Sequence, residues 1–130
     1  AVNLDHYIKD RCDTYKNGTL ENILNNSKKQ TGRLLHYFPV KEEVNMSSDM
    51  KWCGWHNDHG ALTGLCSAIY LDPEYNEINP ADIEDDVSGL FAMNRHHEQI
   101  KIKIPKHSLA FQIGESSQIL SGGILKATPH

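Results

Sequence analysis

The residues best suited to chemistry are a histidine and an aspartate two positions apart, His56 and Asp58. Side chains at positions i and i+2 of a strand share one face, so an imidazole and a carboxylate would converge there. Two histidines and one carboxylate are a typical ligand set for ferrous iron, with the other coordination positions open. The third ligand must then come from another strand, and His130, after the Ser-Gly-Gly turn at 121–123, is the candidate. His-x-Asp alone is weak evidence, because hydrogen-bonded or surface polar residues form it by chance.

Helices are predicted for the first part of the chain, residues 1–32. Leu4 and Ile8 lie one helical turn apart, and the Asn-Gly pair that follows ends this pattern. Thr19 is suited to cap a second short helix, which should stop near the Thr-Gly pair at 31–32. A separate helical segment therefore precedes the rest of the chain.

From residue 33 onward the pattern favours short strands. The clearest alternation is at 99–104, where three isoleucines face one way and two lysines the other. Helices followed by many short strands predict an antiparallel β-barrel or sandwich with packed helices. Strands are predicted at 33–38, 52–56, 62–70, 99–104 and 109–113, with a last extended piece at 124–130.

Composition narrows the class of protein. A length of 130 residues suits one small domain, and a net charge of −4 with 13 basic residues argues against a nucleic-acid surface. Apolar runs are too short for a membrane span, and no secretory leader opens the sequence. Three cysteines without CxxC spacing predict buried free thiols in a reducing compartment, so the expected location is cytoplasmic.

Four ordered blocks of sequence resemble the 2-oxoglutarate- and Fe(II)-dependent oxygenases of the isopenicillin N synthase-like type. The second contains His56 and Asp58 followed by Leu-Thr, and the last ends in a turn and then His130. Together the blocks extend from residue 33 to the end of the chain. They are 33–39 (strand ending in Tyr-Phe-Pro), 56–65 (His-x-Asp and Leu-Thr), 89–91 (Gly-Leu-Phe) and 109–130 (Gln-Ile-Gly-Glu to the distal His).

This resemblance implies a double-stranded β-helix, or jelly roll, that binds Fe(II) through His56, Asp58 and His130. It also implies that 2-oxoglutarate and dioxygen react there, to hydroxylate or desaturate a small organic substrate. Tyr37 falls where family members place a tyrosine that contacts 2-oxoglutarate; the alternative is an aromatic residue in the core. The expected layout is a helical segment at 1–32 and a jelly-roll domain at 33–130, with a polar surface insertion at 72–88.

The chain departs from the family in three places, which are the insertion at 72–88, residue 115 and the ending. Glu115 stands where an aspartate is usual, which is a mild change. The 2-oxoglutarate-binding Arg-x-Ser that follows the distal histidine is missing, so the expectation is a fragment with an incomplete jelly roll. Two other functions stay open: a jelly-roll binding or scaffold module without catalysis, and a zinc-dependent hydrolase that uses the same three residues.

Overall fold

The computed structural model describes residues 1–38, 53–83 and 89–130. The chain divides into two compact units, Ala1–Trp55 and His56–His130. Within the described ranges, no helix has the length and apolar character that crossing a membrane requires.

Three positions used in the sequence predictions lie outside the described residues. They are Pro39, which should end a strand, Trp52, which should begin one, and the part of the predicted insertion at 84–88. The described part of the predicted insertion, 72–83, is largely exposed, as a surface segment should be. The domain boundary after residue 32 stays a prediction.

The described residues of the first unit contain two helices, as predicted. Helix α1 comprises Val2–Lys9 and α2 comprises Thr19–Asn26. Gly18 precedes α2 with a φ of 81°, a left-handed conformation that favours glycine, so Thr19 is the first helical residue rather than the cap. The helix also ends earlier than the predicted stop at 31–32.

A carboxylate from α1 caps the start of α2. Asp5 accepts the backbone N–H groups of Leu20 and Glu21, each at 2.9 Å, and the Tyr15 hydroxyl at 2.5 Å. The first N–H groups of a helix lack partners within it, so this arrangement satisfies donors that would otherwise be buried unpaired. Ile8 and Leu20 are buried beside this cap, at 0% and 2% exposure.

The strand predicted at 33–38 was wrong. Among the described residues, this segment belongs to no strand, and Leu34, Leu35 and Phe38 are exposed. Apolar and aromatic composition indicates a tendency to be buried, but a strand also needs a neighbouring chain to bond its N–H and C=O groups. The composition of this segment does not show whether another segment lies beside it to form these bonds.

The part of the second unit that the structure describes contains antiparallel strand pairs and one short α-helix. In the described ranges, β1 pairs with β6, β2 with β3 and β4 with β5. The predicted class, mainly β with N-terminal helices, is confirmed at this coarse level, while the jelly roll stays a prediction. The elements are β1 (Leu62–Cys66), β2 (Tyr70–Leu71), β3 (Glu77–Ile78), β4 (Phe91–Met93), β5 (Gln99–Lys101), β6 (Leu109–Ile113) and α3 (Glu115–Leu120), with a 3₁₀ turn at Pro80–Asp82.

The individual strand predictions had mixed outcomes. The strand at 109–113 is confirmed as β6, and the segment 62–70 divides into β1 and the beginning of β2. The strand predicted at 99–104 is shorter, because only Gln99–Lys101 pairs with β4. The described residues of 52–56 and the segment 124–130 are assigned to no strand, although both contribute backbone hydrogen bonds near the candidate site.

Candidate metal centre

The backbones of His56 and His130 lie side by side. The N–H of each donates to the carbonyl of the other, at 3.0 Å in both directions. This exchange of two bonds is the pattern of directly opposed residues in an antiparallel pair, whose side chains project to the same face. The two imidazole rings accordingly lie 4.4 Å apart between centroids, tilted by 49°.

The segment that carries His130 is fixed along its length. The N–H of Thr128 donates to Ile113 at 3.2 Å, and the carbonyl of Pro129 accepts from Met93 at 2.9 Å. Gln118 Oε1 accepts the backbone N–H of Ala127 at 2.7 Å. Three other parts of the unit therefore position this extended segment, although it is not a regular strand.

The Ser-Gly-Gly turn predicted at 121–123 is confirmed and lies before this segment. Gly122 and Gly123 have φ values of 62° and 82°, which only glycine adopts without strain. Ser121 is 1% exposed, and its hydroxyl accepts the backbone N–H of Leu125 at 3.0 Å. The turn thereby directs the chain from the end of α3 back toward His130.

The loop that carries Asp58 is bonded to the start of α3. Glu115 N–H donates to the Asp58 carbonyl at 2.7 Å, and Ser116 N–H to the Gly60 carbonyl at 3.2 Å. A Cβ added at Gly114 would overlap the backbone oxygens of Gly60 and Asp58, so the approach depends on glycine. Helix α3 was absent from the sequence predictions, yet it fixes the loop after the His-x-Asp motif.

The three predicted ligands meet at one point. One possible ligand atom each from His56, Asp58 and His130 lies within 4.8 Å of the other two. Asp58 Oδ1 is 3.9 Å from His130 Nε2. The side chains of His130 and Asp58 are 12% and 27% exposed, and His56 is exposed, so solvent reaches the cluster from the His56 side.

The Asp58 carboxylate has polar partners of its own. Its Oδ2 accepts from the Thr63 hydroxyl and from Gln112 Nε2, and these two residues lie directly opposite each other in the β1–β6 pair. Burial alone would raise the pKa of this carboxyl. The hydrogen bonds from Thr63 and Gln112, with smaller effects of the two histidines, outweigh burial and hold the pKa below its ordinary value. Asp58 is therefore anionic at neutral pH.

The tautomer of His130 follows from its contacts. Its Nδ1 lies 3.0 Å from the carbonyl of Thr128, which can only accept a hydrogen bond, so Nδ1 carries the proton. In a neutral imidazole, Nε2 then has the free lone pair, which Gln112 Nε2 faces at 3.0 Å. Nε2 is also the nitrogen that points toward Asp58. A backbone carbonyl on the far nitrogen is the usual way to orient a metal-ligating histidine.

Gln112 and Thr63 were missed as site residues by the sequence analysis. The signal for Gln112 was a polar residue inside the otherwise apolar strand Leu109–Ile113. Thr63 follows Leu62 in the second block of family resemblance, where it was read only as part of a motif. Alternation along paired strands places both on the same face of the β1–β6 pair.

Tyr37, His59 and the three cysteines are the other residues here whose side chains are suited to chemistry. Tyr37 belongs to the first unit and is 55% exposed, so the alternative of a core aromatic was wrong, while a role toward 2-oxoglutarate stays a prediction. His59, the residue directly after Asp58, has a 92% exposed side chain whose Nδ1 is 2.6 Å from Glu115 Oε2. Cys53 and Cys66 are exposed and Cys12 is half-buried, so the expectation of buried thiols was wrong.

Comparisons with family models, with curated proteins and with solved structures gave no match for this chain.

Proposed function

We propose that this chain binds Fe(II) through His56, Asp58 and His130 and acts in a 2-oxoglutarate-dependent oxygenase with a jelly-roll scaffold. The observation that carries the proposal is the meeting of two imidazoles and one carboxylate, from segments far apart in sequence, within 4.8 Å. The sequence predicted this set of two histidines and one aspartate, and the distances among the three side chains are compatible with binding one ion.

The donor set fits a divalent transition metal. Asp58 is anionic at neutral pH, the Nε2 of His130 is unprotonated in the neutral imidazole, and the His56 ring lies beside the His130 ring. Three protein ligands leave coordination positions open, as the ferrous oxygenases require. When bound, the iron would supply the reaction of dioxygen with 2-oxoglutarate, giving succinate, carbon dioxide and one oxygen atom for the substrate.

The role of the protein residues is to hold this geometry and to admit small molecules. Helix α3 fixes the Asp58 loop, and the His56–His130 backbone pair aligns the two imidazoles. The exposed side of His56 leaves an approach for 2-oxoglutarate and a small organic substrate, with Tyr37 as a proposed contact of the co-substrate. A net charge of −4 does not favour nucleic acid as substrate. The proposed location is cytoplasmic.

The proposal is tested first by metal binding. Wild-type protein should bind about one equivalent of Fe(II) under anaerobic conditions. His56→Ala and His130→Ala should each abolish binding. His96→Ala is the matched control, because His96 is exposed in the turn between β4 and β5 and is not in the cluster, and it should bind like wild type. Equal iron content in all four proteins would contradict the ligand assignment.

The identity of the metal and the reaction are tested next. X-ray absorption at the iron and zinc edges, on protein loaded with each metal separately in the presence of 2-oxoglutarate, should show a six-coordinate iron site with open positions taken by the co-substrate. Iron-loaded protein with 2-oxoglutarate and dioxygen should release succinate. Zinc alone in a four-coordinate site would favour the hydrolase instead. Iron binding without any succinate release would favour the non-catalytic module.

A further inference from the structure

The two oxygens of Asp58 have unequal surroundings. Oδ2 accepts two hydrogen bonds, from Gln112 Nε2 at 2.5 Å and from the Thr63 hydroxyl. Oδ1 lies 3.9 Å from His130 Nε2 and accepts no hydrogen bond from any residue in the described part of the chain. Of the two, Oδ1 is therefore the oxygen with lone pairs left for an ion.

The two donors to Oδ2 are themselves fixed in place. Gln112 and Thr63 are directly opposed in the register of β6 and β1, so their side chains lie next to each other on one face of the strand pair. Both side chains are half-buried. The carboxylate of Asp58 is thus held from one side by a pair of donors on rigid strands, and it cannot rotate without losing both hydrogen bonds.

Gln112 also faces a second ligand atom. Its Nε2 lies 3.0 Å from His130 Nε2, where the amide donates to the histidine lone pair. A cation bound at that nitrogen would take the same lone pair, so only the contact of the amide with Asp58 can persist beside a bound ion. The function of Gln112 that is compatible with metal binding is therefore its hold on Asp58 Oδ2.

We infer that Gln112, together with Thr63, keeps Asp58 a ligand through one oxygen. This inference rests on the proposed metal site. A carboxylate can bind an ion through one or both oxygens, and a second bound oxygen would fill a position that the co-substrate or dioxygen needs. The hydrogen bonds from Gln112 and Thr63 occupy the lone pairs of Oδ2 and so oppose its binding to the ion. Gln112 is a positioning residue that preserves an open coordination position.

The experiment counts water molecules on a bound Mn(II) ion by water-proton relaxation. Wild-type protein, with three single-atom ligands, should leave about three waters on the ion. The variants Gln112→Met and Thr63→Val each remove one donor while keeping approximate side-chain volume, and the double variant removes both. The double variant should still bind Mn(II), with about two waters, because Oδ2 then joins the coordination. Each single variant should shift the count in the same direction.

A second measurement follows 2-oxoglutarate, which should bind the Mn(II)-loaded double variant about tenfold more weakly than wild type. Gln99→Met makes the same chemical change at an exposed position of β5 and should leave both measurements unchanged. A wild-type water count in the double variant, or in both folded single variants if the double variant does not fold, would overturn the role of Gln112. Failure of wild-type protein to bind Mn(II) or Fe(II) would instead overturn the proposed site itself.

Discussion

Two aspartates, one in each unit, show how the same side chain can be used in two ways. Asp5 is 1% exposed, and both of its oxygens accept hydrogen bonds from the start of α2, with Tyr15 as a further donor. The Asp58 side chain is 27% exposed. Its hydrogen-bond donors among the described residues both contact Oδ2, while Oδ1 faces the imidazole of His130. Both carboxyls have pKa values below the ordinary value, because in each case hydrogen bonds outweigh burial.

Both carboxyls have a lowered pKa, so the pKa does not distinguish a structural carboxylate from a candidate metal ligand. The number of carboxylate lone pairs that already accept hydrogen bonds does distinguish them. A carboxylate whose oxygens are all bonded to its own fold has little left to offer a ligand. A carboxylate bonded on one side and directed at imidazoles on the other keeps a free ligand atom. The pair therefore predicts opposite results when each aspartate is changed.

The largest effect is expected for the replacement Asp58→Asn. Loss of this proposed anionic ligand should weaken Fe(II) or Mn(II) binding by more than about 100-fold. Mutation of a residue that only hydrogen-bonds to a metal ligand already lowers metal affinity by up to about 100-fold. The same change at Asp5 should leave metal affinity unaltered. Anaerobic metal titration of both variants measures this, and equal losses in the two would remove the distinction between the carboxylates.

The next largest effect is the converse, on stability. Asp5→Ala removes the cap of α2 and leaves the buried Tyr15 hydroxyl without its acceptor, so the free energy of unfolding of the first unit should fall by about 3 kcal/mol. Urea denaturation followed by circular dichroism at the helical wavelengths measures it. A loss well below 1 kcal/mol would show that the carboxylate does not organise the two helices.

A smaller effect is expected where α3 contacts the loop of Asp58. Gly114→Ala should cost about 2 kcal/mol of stability, because the added methyl overlaps backbone oxygens that must move. Metal affinity should fall about tenfold with it, since the displaced loop carries the proposed ligand Asp58. Gly60→Ala is the control in the same loop, where a Cβ meets no atom within 4 Å. Indistinguishable results for the two variants would argue that the close approach is unimportant.

The smallest effect concerns Tyr15. Burial, and then the hydrogen bond to Asp5, raise its pKa to about 12. Because the pKa is higher in the folded state, this contribution to stability is fully present below the ordinary pKa of about 10 and is lost as the pH rises through 12. Tyr15→Phe should cost about 1 kcal/mol at neutral pH.

Spectrophotometric titration of the five tyrosines distinguishes this group from the others. The last step to ionise in wild-type protein should be missing from Tyr15→Phe. If Tyr15→Phe keeps a final step near pH 12, the buried hydrogen bond to Asp5 is not what delays ionisation.

The sequence predicted which three residues lie close together better than it predicted the elements around them, while their role as metal ligands stays a prediction. His56 and Asp58 follow from a two-residue spacing, and His130 from a glycine turn, all of which are local signals. The prediction of a strand at 33–38 was wrong because composition does not show whether another strand lies beside the segment. Helix α3 was missed because six residues are too short for a helical period to show.

Long-range hydrogen bonds were the other feature that no local pattern reveals. Gln112 and Thr63 converge on Asp58 only because β1 and β6 pair in one register, and a shift by one residue would turn both away. The sequence shows a polar residue in an apolar strand but not what it faces. The choice between the two oxygens of Asp58 depends wholly on that register.

His56 and His130 are the first and last residues of the second unit, and two backbone hydrogen bonds join them. Bringing these two residues together closes a long loop of chain, which lowers the conformational entropy of the chain and therefore costs free energy. An ion held between them would act as a cross-link between two segments that are far apart in the chain. Its affinity would then include the free energy of closing the chain, and metal should protect this unit, and not the first, against denaturants.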